Sequence, residues 1–366
     1  MTKIAIIDDL IQDNCLKHPV VHYRLENGCF RQTMMCLHEG MTATHGTIVA
    51  KVLQTYAWEY EIINIQILDN WFTQHACSAD RLIVALEFCS QIDVDVVHCS
   101  IGTERLSRIR QVQEPLAKLL HKNIPVIAAG SNEMYRTIPA SCPGVFGVMF
   151  TDNCLLPPGR FAVAEDPYLD TEFVANYELF DTTNMHHAKS SSLAAPVVTA
   201  RVNELLNSEG ACSFDMLMTA LKREAWPDGL SDHWIERPLR TTESVPVVYL
   251  VDIFAQDGQR QIELLNIFAQ YGYEAVGITS VNTVKDVRLL CYTGLCNQSP
   301  EKIVRSMLAS TRADLLIAFL EATDVHQWES MITHDTITLC ATKADERYAN
   351  DPYRVYLKLM NCFKIG

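Results

Sequence analysis

The sequence predicts an α/β protein: a doubly wound parallel sheet followed by a second, smaller α/β domain. Three observations lead there. Short apolar runs alternate with helical patterns through the first two hundred residues; the pattern loosens from about Asn207 into a polar stretch with prolines at 227, 238 and 246; and the alternation then begins again. Such alternation marks parallel strands joined by helices that cover both faces of a sheet. A boundary near residues 237–245 divides the chain into domains over 1–240 and 241–366.

KIAIIDDL opens as a short isoleucine-rich strand, and GTIVAKVLQTYA follows with apolar residues at helical spacing. EIINIQILD, VDVVHCSIG and IPVIAAGS read as further strands, separated by the helices of ADRLIVALEFCSQ and VQEPLAKLLHKN. LAAPVVTARVNELL has the apolar spacing of a buried helix and is preceded by three serines, 190–192. In the second domain VVYLVDIF, EAVGITS, VRLLCYT, DLLIAFL and TITLCAT read as strands, with helices over GQRQIELLNIFAQYG and SPEKIVRSMLAST. No internal repeat links the two halves.

Composition narrows the classes of function. Hydrophobic residues make up 48% of the 366 and charged residues 20%, which is the balance of a globular protein. No apolar run approaches the ~20 residues that span a bilayer. The first residues lack the pattern of a secretory signal. Thirteen cysteines, an odd number at irregular spacing, read as reduced thiols of a cytoplasmic protein. Cys291 and Cys296 form the one close pair, with no second pair or histidine cluster to complete a zinc site. A net charge of −14 argues against a nucleic-acid partner and is compatible with a peptide or protein substrate.

In parallel α/β sheets, functional groups collect beyond the carboxyl ends of the strands. Asp8, Ser100 and Asn132 sit at or just past such ends, His45 opens a helix, and serines 190–192 precede another. Serine-dependent hydrolysis of a peptide bond needs a base for the hydroxyl proton, an acid to orient that base, and donors for the oxyanion. Singly, each residue has an ordinary reading: a strand-end aspartate is a turn or cap, a histidine before glycine a loop residue, an asparagine after AAGS a turn. Together they supply every part.

At these residues the chain resembles the subtilisin-like serine proteases. IAIIDDLI is similar to the family's strand bearing the catalytic aspartate, HGTIVA to its histidine helix and SIG at 100–102 to its substrate-pairing segment. AAGSN is similar to the strand ending in the oxyanion asparagine, IPASCPGVFGV to the turn and strand that follow, and SSLAAP to the nucleophile helix. The resemblance covers residues 1 to about 206. It implies Ser192 as nucleophile, His45 as base, Asp8 as its partner and Asn132 as oxyanion donor, with Ser100, Ile101, Gly102, Ala129, Gly130 and Ser131 lining the substrate.

Several positions depart from the family pattern. Ser190 and Ser191 replace a glycine and a threonine, so a strained or rearranged approach to Ser192 is expected. Asp9 and Leu10 replace a serine or threonine and a glycine, which makes Asp9 the rival of Asp8. Ser131 replaces a glycine and is expected to narrow the pocket. His98 replaces an asparagine and reads as a hydrogen-bonded core residue. His186 and His187 read as solvated loop, with metal binding the alternative. Calcium is common in the family, and AEDPYLDTE offers carboxylates for it; otherwise no cofactor is expected.

The chain begins almost on the strand holding Asp8, without the export signal and pro-segment of secreted relatives. The expectation is therefore an intracellular endopeptidase limited to processing a peptide precursor, such as leader removal from a ribosomally made modified peptide. The alternative is a catalytically silent scaffold that binds a peptide or protein. The second domain reads as Rossmann-like. AQDGQRQ, around Gly258, lacks the first glycine, the lysine and the hydroxyl of a phosphate-binding loop. Partner recognition or dimerisation is its expected role.

Overall fold

A computed structural model describes residues 1–34, 43–69, 79–152, 155–178, 190–227, 245–282, 285–295, 297–328, 337–340 and 350–363, without the side chain of Glu165. The chain forms two compact units: Met1–Thr103 with Arg110–Arg237, and Glu104–Ile109 with Pro238–Gly366. Most of the stretch expected to hold the domain boundary lies outside the described residues.

The first unit runs β1 (Thr2–Asp8), β2 (Val20–Glu26), β3 (Cys29–Thr33), α1 (His45–Tyr56), β4 (Tyr60–Gln66), α2 (Ala79–Cys89), β5 (Val96–Cys99), α3 (Ile109–His121), β6 (Val126–Ala129), β7 (Val145–Phe150), β8 (Phe161–Asp166), β9 (Thr171–Ala175), α4 (Ser191–Glu209) and α5 (Phe214–Glu224). Its nine-stranded sheet has the order β3-β2-β4-β1-β5-β6-β7-β9-β8. Every pairing from β2 across to β9 is parallel; only β3 and β8, at the two edges, run antiparallel. The central parallel strands β1, β5, β6 and β7 are buried on both faces, which is why they read as continuous apolar runs.

The edge hairpins were not among the predicted elements. Between β2 and β3 stand Asn27 and Gly28, both with positive φ (50° and 80°), the turn chemistry that closes a two-residue hairpin. That dipeptide was the signal available in the sequence. The centre of the unit is α4, buried around nearly its whole circumference from Ser191 to Leu206. Ala194, Ala195 and Ala200 let it lie close to α1 and to β5, β6, β7 and β9. Pro196 lacks the N–H that would otherwise bond the Ser192 carbonyl, loosening the first turn.

The second unit adds β10 (Val247–Val251), α6 (Gly258–Gln270), β11 (Ala275–Thr279), β12 (Leu289–Cys291), α7 (Pro300–Ala309), β13 (Leu315–Leu320), α8 (Val325–Trp328), β14 (Ile337–Cys340) and α9 (Pro352–Cys362). Its sheet is wholly parallel, in the order β12-β11-β13-β10-β14. β13 lies between β10 and β11, and all six of its residues are buried. Helix α9, which the sequence analysis did not include, buries Val355, Tyr356 and Leu359, with the ring of Tyr356 edge-on to Phe268 of α6. Among the described residues no helix is long and apolar enough to cross a membrane.

Candidate active site

Asp8 is the last residue of β1 and pairs in register with Gln66 at the end of β4, so its carboxylate stands at the carboxyl edge of the sheet. His45 is the first residue of α1, whose start is fixed by Thr44: the Thr44 hydroxyl accepts from the Thr47 amide and donates to the Leu10 carbonyl. Ser192 is the second residue of α4. From these three elements the side chains converge. His45 Nδ1 lies 2.9 Å from both oxygens of Asp8, and Nε2 lies 2.9 Å from Ser192 Oγ. Asp8 is fully buried, and His45 and Ser192 are each 6% exposed.

The proton positions follow from the partners. An ionised carboxylate only accepts, so Nδ1 carries the ring proton and Nε2 presents its lone pair to the serine hydroxyl. Burial of the imidazole works against its charge. The charge of Asp8, its hydrogen bond, and the charge of Asp9 outweigh that penalty and raise the His45 pKa above its ordinary value.

Asp9, the rival for the acid role, faces the backbone. Its carboxylate accepts from Gly46 N at 2.6 Å and from His45 N at 3.3 Å, so it satisfies the first amides of α1 and sits at the positive end of that helix. Its own N–H donates to Asp8 Oδ1 at 2.7 Å. A Cβ on Gly46 would lie 3.0 Å from the Asp9 carbonyl oxygen, so glycine permits this close approach. The two adjacent acids divide the work: Asp8 meets the ring and Asp9 holds the helix that carries it. Asn64, fully buried in β4, ties the turn by donating to the Asp9 carbonyl at 2.9 Å and accepting from Ile11 N. Sequence reasoning passed over Asn64, although a lone asparagine inside the apolar strand EIINIQIL was a visible signal.

The expected strain at the serines is absent. Ser190 has φ −148° and ψ 148°, extended backbone that any residue adopts, so no glycine is required there. Ser191 N donates to Asn132 Oδ1 at 2.8 Å, and Ser191 Oγ accepts from Phe150 N at 3.1 Å. With its oxygen so engaged, Asn132 keeps its NH2 as a donor, and that group has no partner among the described residues. The Ser192 N–H, in the first turn of α4, likewise has no acceptor among them. Two donors thus remain at the start of α4, one on Ser192 itself and one on the asparagine bonded to Ser191 N.

Ser100, Ile101 and Gly102 leave the end of β5; Thr103 then pairs with Ile138 through two backbone hydrogen bonds of 2.9 Å. Gly102 lies close under this bridge, where a Cβ would sit 3.2 Å from the Ile138 carbonyl oxygen. Ala129 closes β6 and is 5% exposed. Gly130 packs against Met149, whose Sδ would lie 2.2 Å from a Cβ there, so a side chain at this position would have to displace that thioether. Ser131 does not simply project into the neighbourhood: its hydroxyl accepts from Glu133 N at 3.1 Å inside its own turn. His98 is 1% exposed and bonded on both sides, Nδ1 to Thr199 Oγ1 at 2.8 Å and Nε2 to Ser100 Oγ at 3.0 Å. Burial pushes its pKa down to about 4, so the ring is neutral at physiological pH.

AEDPYLDTE, considered for calcium, is the β8–β9 hairpin. Asp166 Oδ1 accepts from Tyr168 N and Leu169 N, and the buried Arg136 side chain donates to the Pro167 and Tyr168 carbonyls. Glu172 accepts from Gly147 N at 2.8 Å, and burial pushes its carboxyl up to about 8. Asp166 and Arg136 hold the hairpin turn, and Glu172 ties β9 to the Gly147 amide of β7. Among the described residues no group of three or more histidine, cysteine, aspartate or glutamate side chains gathers as a metal site. His186, His187 and Cys296 lie outside the described residues.

No known protein family matches the chain, and no curated protein is significantly similar to it. Solved structures are. A prenylagaramide maturation protease is 20% identical with a TM-score of 0.46, the match covering 63% of this chain and 85% of that one. A lanthipeptide protease is 14% identical with a TM-score of 0.47, covering 62% and 81%. A cold-adapted subtilisin-like serine proteinase is 15% identical with a TM-score of 0.43, covering 60% and 81%.

Proposed function

We propose that the chain is a serine endopeptidase of the subtilisin-like type. One observation carries the reading: the unbroken run from Asp8 through His45 to Ser192, with both links at 2.9 Å, ending beside the donors of Ser192 N and Asn132. Ser192 Oγ attacks the scissile carbonyl carbon as its proton passes to His45 Nε2, and the carbonyl π pair moves onto oxygen. The Ser192 N–H, aided by the positive end of α4, and the Asn132 NH2 receive that oxyanion. His45 then gives the proton to the leaving amine, and water repeats the sequence on the acyl-enzyme. Asp8 holds the reactive tautomer and stabilises the imidazolium throughout. The backbone of Ile101 and Gly102, just past the end of β5, makes no backbone hydrogen bond among the described residues, which suits an extended peptide laid alongside it.

Within this class the substrate we put forward is a peptide precursor cut at few sites, for example in leader removal. Its support is the presence of the second unit, in which Asp257 caps α6 with a carboxylate that accepts from Arg260 N at 3.1 Å, where a phosphate would otherwise approach. Recognition of the peptide is the role proposed for that unit. Incubation with a proteome-derived peptide library, read by mass spectrometry, tests both levels. A short list of cleavage sites is expected. Indiscriminate cleavage overturns the precursor reading, and no cleavage at all returns the chain to a silent, peptide-binding scaffold.

A further inference from the structure

Ser190 is the N-cap of α4, and a serine in that place ordinarily accepts a hydrogen bond from an amide of the first turn. Thr44, Ser213, Asp257, Ser299 and Asp351 each cap their helices in this way. Ser190 makes no such bond. Its hydroxyl lies 2.9 Å from Ser192 Oγ, the residue is 7% exposed, and the Tyr177 phenol hydrogen-bonds its backbone.

The direction of the serine–serine bond is fixed by the rest of the chain of contacts. Asp8 only accepts, so His45 Nδ1 donates to it; Nε2 therefore accepts, and the single Ser192 proton is committed to Nε2. The Ser190 hydroxyl is then the donor to Ser192 Oγ. We infer that Ser190 is a further catalytic residue, donating to Ser192 Oγ and stabilising the negative charge that builds there as the proton passes to His45. This rests on Ser192 being the nucleophile.

The chemistry is consistent with attack. Oxygen has two lone pairs; one accepts from Ser190 while the other forms the bond to the carbonyl carbon. A hydrogen bond to a charged acceptor is shorter and stronger than one to a neutral hydroxyl, so the interaction is strongest while the proton is leaving Oγ, before the charge has passed to the carbonyl oxygen, and it lowers the barrier there. In the family that the sequence resembles, this position is usually a glycine, with no hydroxyl to give. The forgone helix cap is the cost, and the donor to the nucleophile is the return.

The test is the second-order rate of labelling by a small fluorophosphonate, measured against pH for the wild type and for Ser190→Ala, Ser190→Gly, Ser190→Thr and Ser192→Ala. Loss of the hydroxyl in Ser190→Ala and Ser190→Gly is expected to slow labelling about tenfold to a hundredfold at every pH. The midpoint set by His45 and the thermal midpoint of unfolding are expected to stay in place, and Ser190→Thr to recover most of the rate. Labelling of Ser190→Ala and Ser190→Gly within about twofold of wild type, a factor worth well under one hydrogen bond, overturns the inference while leaving Ser192 as nucleophile. A slowed Ser190→Ala with a lowered unfolding midpoint and no recovery in Ser190→Thr also overturns it, in favour of a structural role. A wild type that takes no label removes the nucleophile reading and this inference with it.

Discussion

The carboxyl edges of the two parallel sheets are built by the same rules and do different things. In the first unit, β1 and the starts of α1 and α4 send Asp8, His45 and Ser192 from positions far apart in sequence into one run of hydrogen bonds. In the second, the polar side chains of the described residues at the edge are tied to neighbouring loops or to a helix start. Asp252 accepts from Ala322 N, Asp257 from Arg260 N, and the Tyr292 hydroxyl donates to Asp324. Burial, then the neighbouring Asp324, pushes the Tyr292 pKa well up, so that phenol keeps its proton. A parallel sheet edge is therefore not a site in itself. In the proposed reading the first edge becomes one because two helix starts bring a base and a hydroxyl into reach and leave amides over for an oxyanion.

That contrast can be broken by substitution. The largest effect short of removing the nucleophile is expected from Asp8→Asn, which presents the wrong tautomer of His45: kcat should fall by about 10⁴ with the fold intact. Circular dichroism and turnover of a cleaved library peptide check both halves. Asn132→Ala should lower kcat roughly 10²–10³-fold with little change in KM, since the oxyanion exists only after attack. A matching rise in KM would place Asn132 in substrate binding.

Asp9→Asn sharpens the division between the adjacent acids. His45 must be neutral to act as base, so kcat/KM rises with pH through its raised pKa. The acid limb of the wild type is expected above the ordinary histidine value of about 6.5. Removing the charge of Asp9, one of the groups that raise that pKa, should move the limb to lower pH while most of the plateau activity survives. A plateau loss as large as that of Asp8→Asn would exchange their roles. The smallest effect is expected in the second unit: Asp257→Ala should cost about 1 kcal/mol of stability through the lost helix cap and leave fluorophosphonate labelling unchanged. Slowed labelling would show that edge to be more than local.

Much of this was legible in the sequence. Buried parallel strands are apolar throughout, so they stand out, and the residues just after them are few enough that Asp8, Ser100 and Asn132 could be picked by position. His45 was legible as a helix opening and serines 190–192 as the residues before another helix, with Ser192 singled out only by register with the family pattern. The edge strands were harder: β2 and β3 are half exposed and mixed in character, and only Asn27-Gly28 marked their turn. What the sequence could not carry is direction. Whether Asp8 or Asp9 faces the imidazole, whether Ser190 strains the chain or donates to its neighbour, and whether Ser131 enters the pocket or its own turn all depend on where a side chain points after residues far apart have been packed together. In the acidic hairpin, likewise, the sequence did not show that Asp166 and Glu172 accept from backbone amides.

The central claim is that Ser192 alone of the three serines is activated, through His45. It is tested most directly by labelling the wild type and Ser192→Ala with a fluorophosphonate across pH and locating the adduct by peptide mass spectrometry. A single adduct on Ser192, forming on an acid limb above about pH 6.5 and lost in Ser192→Ala, is the expected result. An adduct on Ser190 or Ser191, or labelling that persists in Ser192→Ala, would contradict it.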